Sequence, residues 1–257
     1  MVKLIIDNIS VNYNSIQALK DINIKLEKGT MVSIIGPNGS GKTTLLRSIA
    51  KIVKPIKGTI YIDNKNLNNI PLKELAHHVS YTSPTFKEGF DLTVGDIVFM
   101  GRYPKTGFIM KHTDEEIVNK ALNTFHIKHL INRKIEELSD GERQKALLAR
   151  SLAQEAEIIL VDEPLAHLDL KAQLEVLKIL KNEANNGKLV IITSHTIDLP
   201  AKYSDIIIVM KKGQILAIGK PNEILTEQII ENTYNIKCKI IKNYEYPIVM
   251  LLDTISD

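Results

Sequence analysis

The chain has 257 residues, of which 44% are hydrophobic and 25% are charged, and its formal net charge at pH 7 is +3. This composition is ordinary for a soluble globular protein with a sizeable core, and the spread of Lys and Arg along the chain argues against nucleic-acid binding, which needs a concentrated basic patch. The single cysteine, Cys238, excludes an intrachain disulfide, and no apolar run approaches the roughly 18 residues of a membrane span. We therefore expect a cytoplasmic protein whose membrane role, if it has one, comes through a partner.

The predicted elements begin with strands. KLIIDNISV and DINIKL alternate apolar and polar residues, as half-buried strands do. The short apolar run MVSIIG predicts the next strand, TTLLRSIAKIV has helical spacing, and GTIYID predicts a further strand. Alternating strands at the start of the chain indicate an antiparallel layer.

The middle and the end of the chain change pattern. Residues 94–153 have mainly helical spacing, and after them the apolar runs EIILVDEP, LVIITSH and DIIIVM alternate with helical segments, one of them at 170–184. Such alternation is typical of a parallel α/β sheet. GQILAIG and YPIVMLL predict two more strands. We therefore predict one α/β domain over residues 1–257, with a mixed sheet, an inserted helical subdomain at about 90–155 and a short C-terminal β extension at about 236–252.

The segment GPNGSGKT matches the phosphate-loop pattern G-x-x-x-x-G-K-[ST] and lies between an apolar strand and a helical run. Its glycines allow backbone N–H groups to converge on phosphate oxygens at a helix N-terminus. Lys42 can reach the β and γ phosphates, and the Thr43 hydroxyl can ligate Mg²⁺. The segment predicts an ATP site with contacts from Gly36, Pro37, Asn38, Gly39, Ser40, Gly41, Lys42, Thr43 and Thr44.

Two further strand ends carry candidate catalytic groups. IILVDEP supplies Asp162, which would hold Mg²⁺ through its water shell, and Glu163, which is placed to polarise the attacking water as a general base or a water positioner. IITSH ends in His195, which could hydrogen-bond the γ-phosphate and sense its loss. A lone histidine at a strand end is also compatible with an ordinary half-exposed residue.

The order and approximate spacing of GPNGSGKT, LSDGE, VDE, HLD and His195 resemble the ATP-binding cassette of ABC transporters. The resemblance covers most of the chain and implies a phosphate-loop ATPase fold with ATP and Mg²⁺ as cofactors. LSDGE corresponds to the family's signature stretch, usually written LSGGQ. In the family the signature of one cassette closes over the ATP held by its partner, so the resemblance implies a two-fold homodimer.

The resemblance also assigns roles to single residues. Ser139, the Gly141 N–H and the following helix N-terminus would face the partner's γ-phosphate. Asp140 and Glu142 depart from the common Gly and Gln of the signature, and both changes bring acid near a triphosphate. The remaining assignments are Tyr13 for stacking on adenine and Asp169 for the loop that contacts the partner cassette.

The segment 84–104 lies where the family docks a permease helix, and Phe90, Met100 and Arg102 are predicted to weaken permease binding when substituted. In the family a Gln that touches Mg²⁺ and the attacking water stands at the edge of this segment, where alignment places Pro84. A hydroxyl of Ser83 or Thr85, or a water molecule, would have to replace it.

TVGDIVFMGRYP and the tail GKPNEILTEQIIENTYNIKCKI resemble the ATPases of importers for iron chelates, haem and cobalamin. This implies an ATPase that is peripheral on the cytoplasmic face of the membrane, bound to permease subunits and indirectly to an extracytoplasmic substrate-binding protein. The alternatives are another ABC importer, for example for metal ions, and a soluble ABC ATPase such as an iron–sulfur assembly scaffold. A cassette does not touch the transported molecule, so its sequence does not identify that molecule.

Overall fold

The computed structural model describes residues 3–83, 91–107, 111–242 and 245–254. Within these ranges the strands are β1 (Lys3–Tyr13), β2 (Ile16–Glu27), β3 (Thr30–Ile35), β4 (Lys57–Ile62), β5 (Lys65–Asn66), β6 (Val79–Thr82), β7 (Ile158–Val161), β8 (Leu189–Ser194), β9 (Ile206–Lys211), β10 (Gln214–Gly219), β11 (Ile236–Ile241) and β12 (Ile248–Thr254). The helices are α1 (Lys42–Ile49), α2 (Leu72–His78), α3 (Val94–Met100), α4 (Tyr103–Thr106), α5 (His112–Thr124), α6 (Asp140–Ala153), α7 (Leu170–Asn185), α8 (Asp198–Tyr203), α9 (Pro221–Ile224) and α10 (Glu227–Tyr234).

The central sheet has the strand order β10-β9-β3-β8-β7-β6. Its strands run parallel except β10, which is antiparallel to β9. Strands β7 and β8 are buried along their whole length, as expected of parallel strands that are covered on both faces. Parallel strands end at one edge of their sheet, so the loops that follow β3, β7 and β8 meet there. This edge holds the candidate site.

A second, antiparallel sheet has the order β2-β1-β4-β5. Apolar side chains of β1, β2 and β4 form one core with α1 and one face of the central sheet. The predicted mixed sheet and antiparallel N-terminal layer are therefore confirmed. The core fixes α1 against the sheet, and with it the loop that precedes α1.

Helices α3, α5 and α6 pack on one another and share a second core with α7 and the central sheet. The helical prediction for residues 94–153 is confirmed by these elements. Their core is continuous with that of the sheet, so the separate subdomain at about 90–155 stays a prediction. At the other end of the chain, α10 and the hairpin of β11 and β12 pack beside β9 and bury Cys238.

The structure corrects one predicted permease contact, Arg102. Its side chain is buried, with Nε 3.0 Å from Asp114 Oδ1 and Nη1 2.8 Å from Glu155 Oε2. The same Nη1 donates to the carbonyl of Ala153 at 2.7 Å. The guanidinium is thus engaged inside the helical layer, where it joins the end of α3 to α5 and α6, and is not available to a partner. Met100 is 43% exposed and remains a candidate contact.

No helix in the described ranges combines the length and the apolar character needed to cross a bilayer.

Candidate active site

The phosphate loop is fixed by close backbone packing. A Cβ at Gly36 would lie 2.2 Å from the Met210 carbonyl oxygen, and one at Gly41 would lie 2.7 Å from that of Ala18. Gly41 also has a φ of 101° and caps α1 without a side-chain hydrogen bond. The first N–H groups of a helix have no partner within the helix, and no acid occupies the first turn of α1. The loop therefore presents a helix N-terminus that suits an anion.

Lys42 is 5% exposed, and its ammonium is held by the loop itself. Its Nζ donates to the carbonyls of Gly36 at 2.7 Å and Pro37 at 3.0 Å. Burial lowers the pKa of Lys42, and the negative charges of Glu163 and Asp162 oppose that shift. The side chain thus has a defined place between the phosphate loop and the two acids.

The Asp162 carboxylate is 1% exposed and unevenly bonded. Its Oδ1 accepts from the Thr43 hydroxyl at 3.1 Å and from the Thr193 hydroxyl at 2.6 Å. Its Oδ2 is buried and has no hydrogen-bond partner among the described residues. Mg²⁺ takes carboxylate, hydroxyl and water oxygens, and a buried carboxylate oxygen without a partner is costly unless a cation or water satisfies it. The group formed by Thr43 and Asp162 therefore fits Mg²⁺.

Glu163 and His195 stand side by side at the ends of β7 and β8. The Glu163 side chain is 30% exposed and that of His195 is 57% exposed. His195 Nδ1 lies 4.0 Å from Glu163 Oε2, which is too far for a hydrogen bond. Glu163 has a φ of 50°, and its N–H donates to the Thr193 hydroxyl at 2.8 Å. Glu163 lines the same pocket as the phosphate loop, whereas His195 lines a neighbouring pocket that also includes Glu163.

A cleft of about 370 Å³ opens over the phosphate loop. It is lined by Tyr13, Ile16, Gln17, Ala18, Asn38, Gly39, Ser40, Gly41, Lys42, Thr43, Thr44, Glu163 and Lys212. Tyr13 is 43% exposed at the end of β1, so its ring is accessible from the cleft. Lys212 was not predicted as a residue of the site. The sequence signal that could have indicated it is KKG, which places two lysines beside a turn glycine between β9 and β10.

The signature residues lie outside this lining, at the start of α6. Ser139 caps the helix: its hydroxyl accepts from the Glu142 N–H at 3.3 Å and donates to Glu142 Oε2 at 2.8 Å. The Ser139 N–H donates to the same oxygen at 3.0 Å. The backbone and side-chain hydrogen bonds from Ser139 hold the pKa of Glu142 below its usual range. Asp140 is exposed, and its Oδ1 lies 3.5 Å from Arg143 Nη1. The acid at the fifth signature position therefore occupies the donors of Ser139.

Gly141 and Asp169 connect the signature to the loop after β7. A Cβ at Gly141 would lie 3.4 Å from Leu168 Cδ2, so the two segments touch. Asp169 Oδ1 accepts from the Ala172 N–H at 2.7 Å and caps α7. The capping role was not predicted, and the partner contact of Asp169 stays a prediction.

Pro84, Thr85 and Phe90 lie outside the described residues, so the question of what replaces the family's Gln is not addressed by the structure.

Comparison with known sequences finds matches to ABC transporter ATP-binding proteins, as the phosphate loop and the two acids lead one to expect. A family model described as ABC transporter matches residues 19–166. An uncharacterised ABC transporter ATP-binding protein of Methanocaldococcus jannaschii is 39% identical over 248 residues, 96% of this chain and 97% of the relative. The ferric enterobactin transport ATP-binding protein FepC of Escherichia coli is 32% identical over 238 residues, 91% of this chain and 88% of the relative.

Two solved structures are similar in fold. A metal-chelate-type ABC transporter in an inward-facing conformation matches with a TM-score of 0.83 and 27% identity, covering 98% of this chain and 97% of its own. A dimeric ATP-binding cassette in a post-hydrolysis state, bound to ADP and Pi, matches with a TM-score of 0.76 and 30% identity, covering 86% of this chain and 98% of its own. Both matches support the predicted cassette fold.

Proposed function

Because this chain belongs to the ABC transporter family, whose ATP-binding members are ATPases coupled to transport, we propose that it powers an importer for an iron chelate. Haem and cobalamin are the other two transported molecules that the proposal includes. The observation that carries the ATPase activity is the meeting of the phosphate loop, Asp162, Glu163 and His195 at one sheet edge. Relatives that serve ferric enterobactin and metal chelates support the substrate class.

In this proposal the chain's own residues bind and orient the reacting groups. The loop N–H groups and Lys42 bind the β and γ phosphates, and Thr43 and Asp162 hold Mg²⁺. The bound cation would supply positive charge against the phosphate oxygens. Glu163 accepts a proton from the attacking water or orients it, and the exposed imidazole of His195 hydrogen-bonds the γ-phosphate.

The cleft supports the remaining nucleotide contacts. The half-exposed ring of Tyr13 stacks on adenine at the open side of the cleft. Lys212 adds a second cation beside the phosphate loop. The proposed ATP contacts along the loop and the start of α1 are those predicted from the sequence, Gly36 to Thr44.

The proposed assembly is a homodimer with two sandwiched ATP molecules, peripheral on the cytoplasmic face of a membrane and bound to permease subunits. A dimeric relative that holds ADP and Pi supports the two-fold arrangement. Ser139 and Gly141 would contact the partner's ATP, and Asp169 the partner's loop. An extracytoplasmic substrate-binding protein would act through the permease. We retain residues 90–155 as the helical subdomain and 236–252 as the C-terminal extension.

Glu163→Gln tests the activity. We expect ATP binding to persist while turnover falls by about 10²–10⁴-fold, the usual cost of losing a general base. The matched control is Glu157→Gln, at the other end of β7, where Glu157 pairs with His78 at 3.1 Å and does not line the cleft. Hydrolysis at the parent rate in Glu163→Gln would remove Glu163 from the mechanism.

The substrate class needs a separate experiment. The chain should co-purify with a permease, and the complex in vesicles should take up a ferric chelate faster than haem, cobalamin or free metal ions. Recovery of an active ATPase with no permease would favour the soluble alternative, and preferential uptake of a free metal ion would favour the metal-ion importer.

A further inference from the structure

We propose that Thr193 is a positioning residue for ATP hydrolysis, whose hydroxyl joins the Glu163 N–H to the Asp162 carboxylate and so fixes the two acids relative to each other. The inference rests on the proposed function, because it deepens the roles of Asp162 and Glu163. Neither the phosphate loop nor the signature includes Thr193, and the sequence motifs left it unassigned.

The sheet register brings Thr193 to this place. Strands β7 and β8 are parallel, and their last paired residues are Val161 and Ile192. Asp162 and Thr193 each follow by one residue, so they face each other where the strands end. Thr193 is fully buried.

The direction of the hydrogen bonds is settled by chemistry. A hydroxyl has one proton to donate and two acceptor positions. The Glu163 N–H can only donate, so the Thr193 oxygen accepts it at 2.8 Å. The one hydroxyl proton therefore goes to Asp162 Oδ1, at 2.6 Å. A hydrogen bond of this length to a carboxylate is charge-assisted and among the stronger ones in proteins.

For Asp162, the consequence is a fixed rotation of the carboxylate. Oδ1 accepts from both Thr193 and Thr43, and Oδ2 is left as the buried oxygen with no partner among the described residues. Thr193 thus selects which oxygen is offered to Mg²⁺ or to its water shell. Without the hydroxyl, Oδ1 keeps the single and longer bond to Thr43, and the carboxylate is free to turn.

For Glu163, the consequence is a fixed turn of the backbone. Its φ of 50° is left-handed, a conformation that carries a steric cost for a non-glycine residue. Acceptance of its N–H by Thr193 offsets part of that cost. The turn directs the Glu163 side chain into the cleft lining and toward His195. Loss of the hydroxyl removes the acceptor and lets the turn relax.

Thr82 provides a matched control on the neighbouring strand β6. It is fully buried, like Thr193, and its main-chain oxygen accepts the Asp162 N–H at 2.9 Å. Its hydroxyl has no hydrogen-bond partner in the part of the chain that the structure describes. Thr82→Val therefore makes the same chemical change beside the same aspartate without removing a hydrogen bond seen in the structure.

The experiment compares Thr193→Val, Thr193→Ser and Thr82→Val in the full chain. Partners that orient a metal ligand typically contribute about 10–100-fold to activity or metal affinity. We expect Thr193→Val to lower kcat by about that factor, with the KM for ATP changed by less than about twofold. Thr193→Ser keeps the hydroxyl and should recover most of kcat, and Thr82→Val should retain the parent kcat.

A second readout does not use turnover. In the Glu163→Gln background, ATP binding is measured at equilibrium while Mg²⁺ is titrated. Thr193→Val should raise the half-saturating Mg²⁺ concentration about 10-fold or more, with ATP binding in the absence of Mg²⁺ unchanged. Melting temperatures of all variants show whether each one folds. If Thr193→Val does not fold, Thr193→Ala compared with Thr193→Ser makes the same test.

Parent values of both kcat and half-saturating Mg²⁺ in Thr193→Val would overturn the proposal. So would equal losses in Thr193→Val, Thr193→Ser and Thr82→Val accompanied by lower melting temperatures, because that result assigns the hydroxyl to stability alone. Failure of the proposed function looks different: the parent chain would not hydrolyse ATP, or Glu163→Gln would hydrolyse it at the parent rate.

Discussion

Glu142→Gln should strengthen ATP-dependent dimerisation. In the proposed homodimer, Ser139 offers its hydroxyl and the helix N-terminus to the partner's γ-phosphate. In the single chain Glu142 Oε2 already accepts the Ser139 hydroxyl at 2.8 Å and the Ser139 N–H at 3.0 Å. The carboxylate therefore competes with the phosphate for the Ser139 hydroxyl. Gln keeps the shape of the side chain and its capping ability but removes the negative charge.

The size of the effect follows from the hydrogen bond between Glu142 and the Ser139 hydroxyl, which occurs once in each signature. Hydrogen bonds to a charged group contribute about 1.5–3 kcal/mol and neutral ones about 0.5–1.5 kcal/mol. Replacing the carboxylate by an amide therefore weakens the competition by about 1 kcal/mol at each signature, or about 2 kcal/mol for the two signatures of the dimer. This corresponds to about 30-fold in the dimerisation constant. Removing the repulsion between an acid and a triphosphate acts in the same direction.

The assay is sedimentation of Glu142→Gln in the Glu163→Gln background, with Mg²⁺ and ATP. Glu137→Gln makes the same charge change in the exposed turn before the signature and is the control. The hydrogen bonds from Ser139 hold the pKa of Glu142 below its usual range, so the competing charge is fully present at neutral pH and is lost only as pH falls through that lowered pKa. The effect should therefore be constant from about pH 6 to 8. Dimerisation no stronger than in Glu137→Gln would refute the reasoning.

Two further outcomes are expected. His195→Ala should lower ATP turnover to the level of Glu163→Gln with ATP affinity retained; parent turnover would remove His195 from the site. Arg102→Met should destabilise the fold by about 3–5 kcal/mol, because it leaves the buried Asp114 carboxylate without its charge partner, and chemical denaturation measures this loss. It should reduce ATP binding and permease binding together, whereas Met100→Ala should reduce only permease binding. A selective loss of permease binding in Arg102→Met would contradict its buried role.

The elements that position the site were predictable because their sequences carry the strongest patterns. Strands β7 and β8 are short apolar runs buried along their whole length, each followed by polar residues. Strand β6 was not predicted. In its sequence VSYT the hydroxyl residues Ser80 and Thr82 interrupt the apolar pattern, so it is not recognisable as an apolar run. Its buried Ser80 hydroxyl is satisfied by Ser151, 71 residues later, which no local pattern reveals. Helix α2 buries only one residue, Leu75. Its sequence therefore shows no helical periodicity of apolar residues, and the helix was not predicted.

In the site, too, features formed by neighbouring residues were predictable, whereas contacts between residues distant in sequence were not. The phosphate loop could be identified because its chemistry requires contiguous residues. The bond between Ser139 and Glu142 was also visible, because S-x-x-E before a helix is the capping-box pattern, but the acid was interpreted only as a charge near phosphate. Arg102 was wrongly placed at a surface since its partners, Asp114 and Glu155, are distant in sequence. Thr193 had one weak signal, the first of two hydroxyl residues that end the apolar run of β8.

The loop from Glu163 to Asp169 joins the two halves of the proposed split site within one chain. It begins at Glu163, the proposed catalytic residue, passes Leu168, which touches Gly141 of the signature, and ends at the cap of α7. Gln173, in α7, fixes this loop to the helix because its side chain donates to the Leu168 carbonyl at 3.1 Å. In the proposed homodimer, Glu163 would serve the ATP of its own chain and the signature would serve that of the partner. A shift of Glu163 when its phosphate leaves would therefore have a route to the partner's ATP through this loop and α6. The coupling of the two proposed sites would then depend on how stiffly the loop is held, and α7 holds it by the Asp169 cap at one end and by Gln173 along its length.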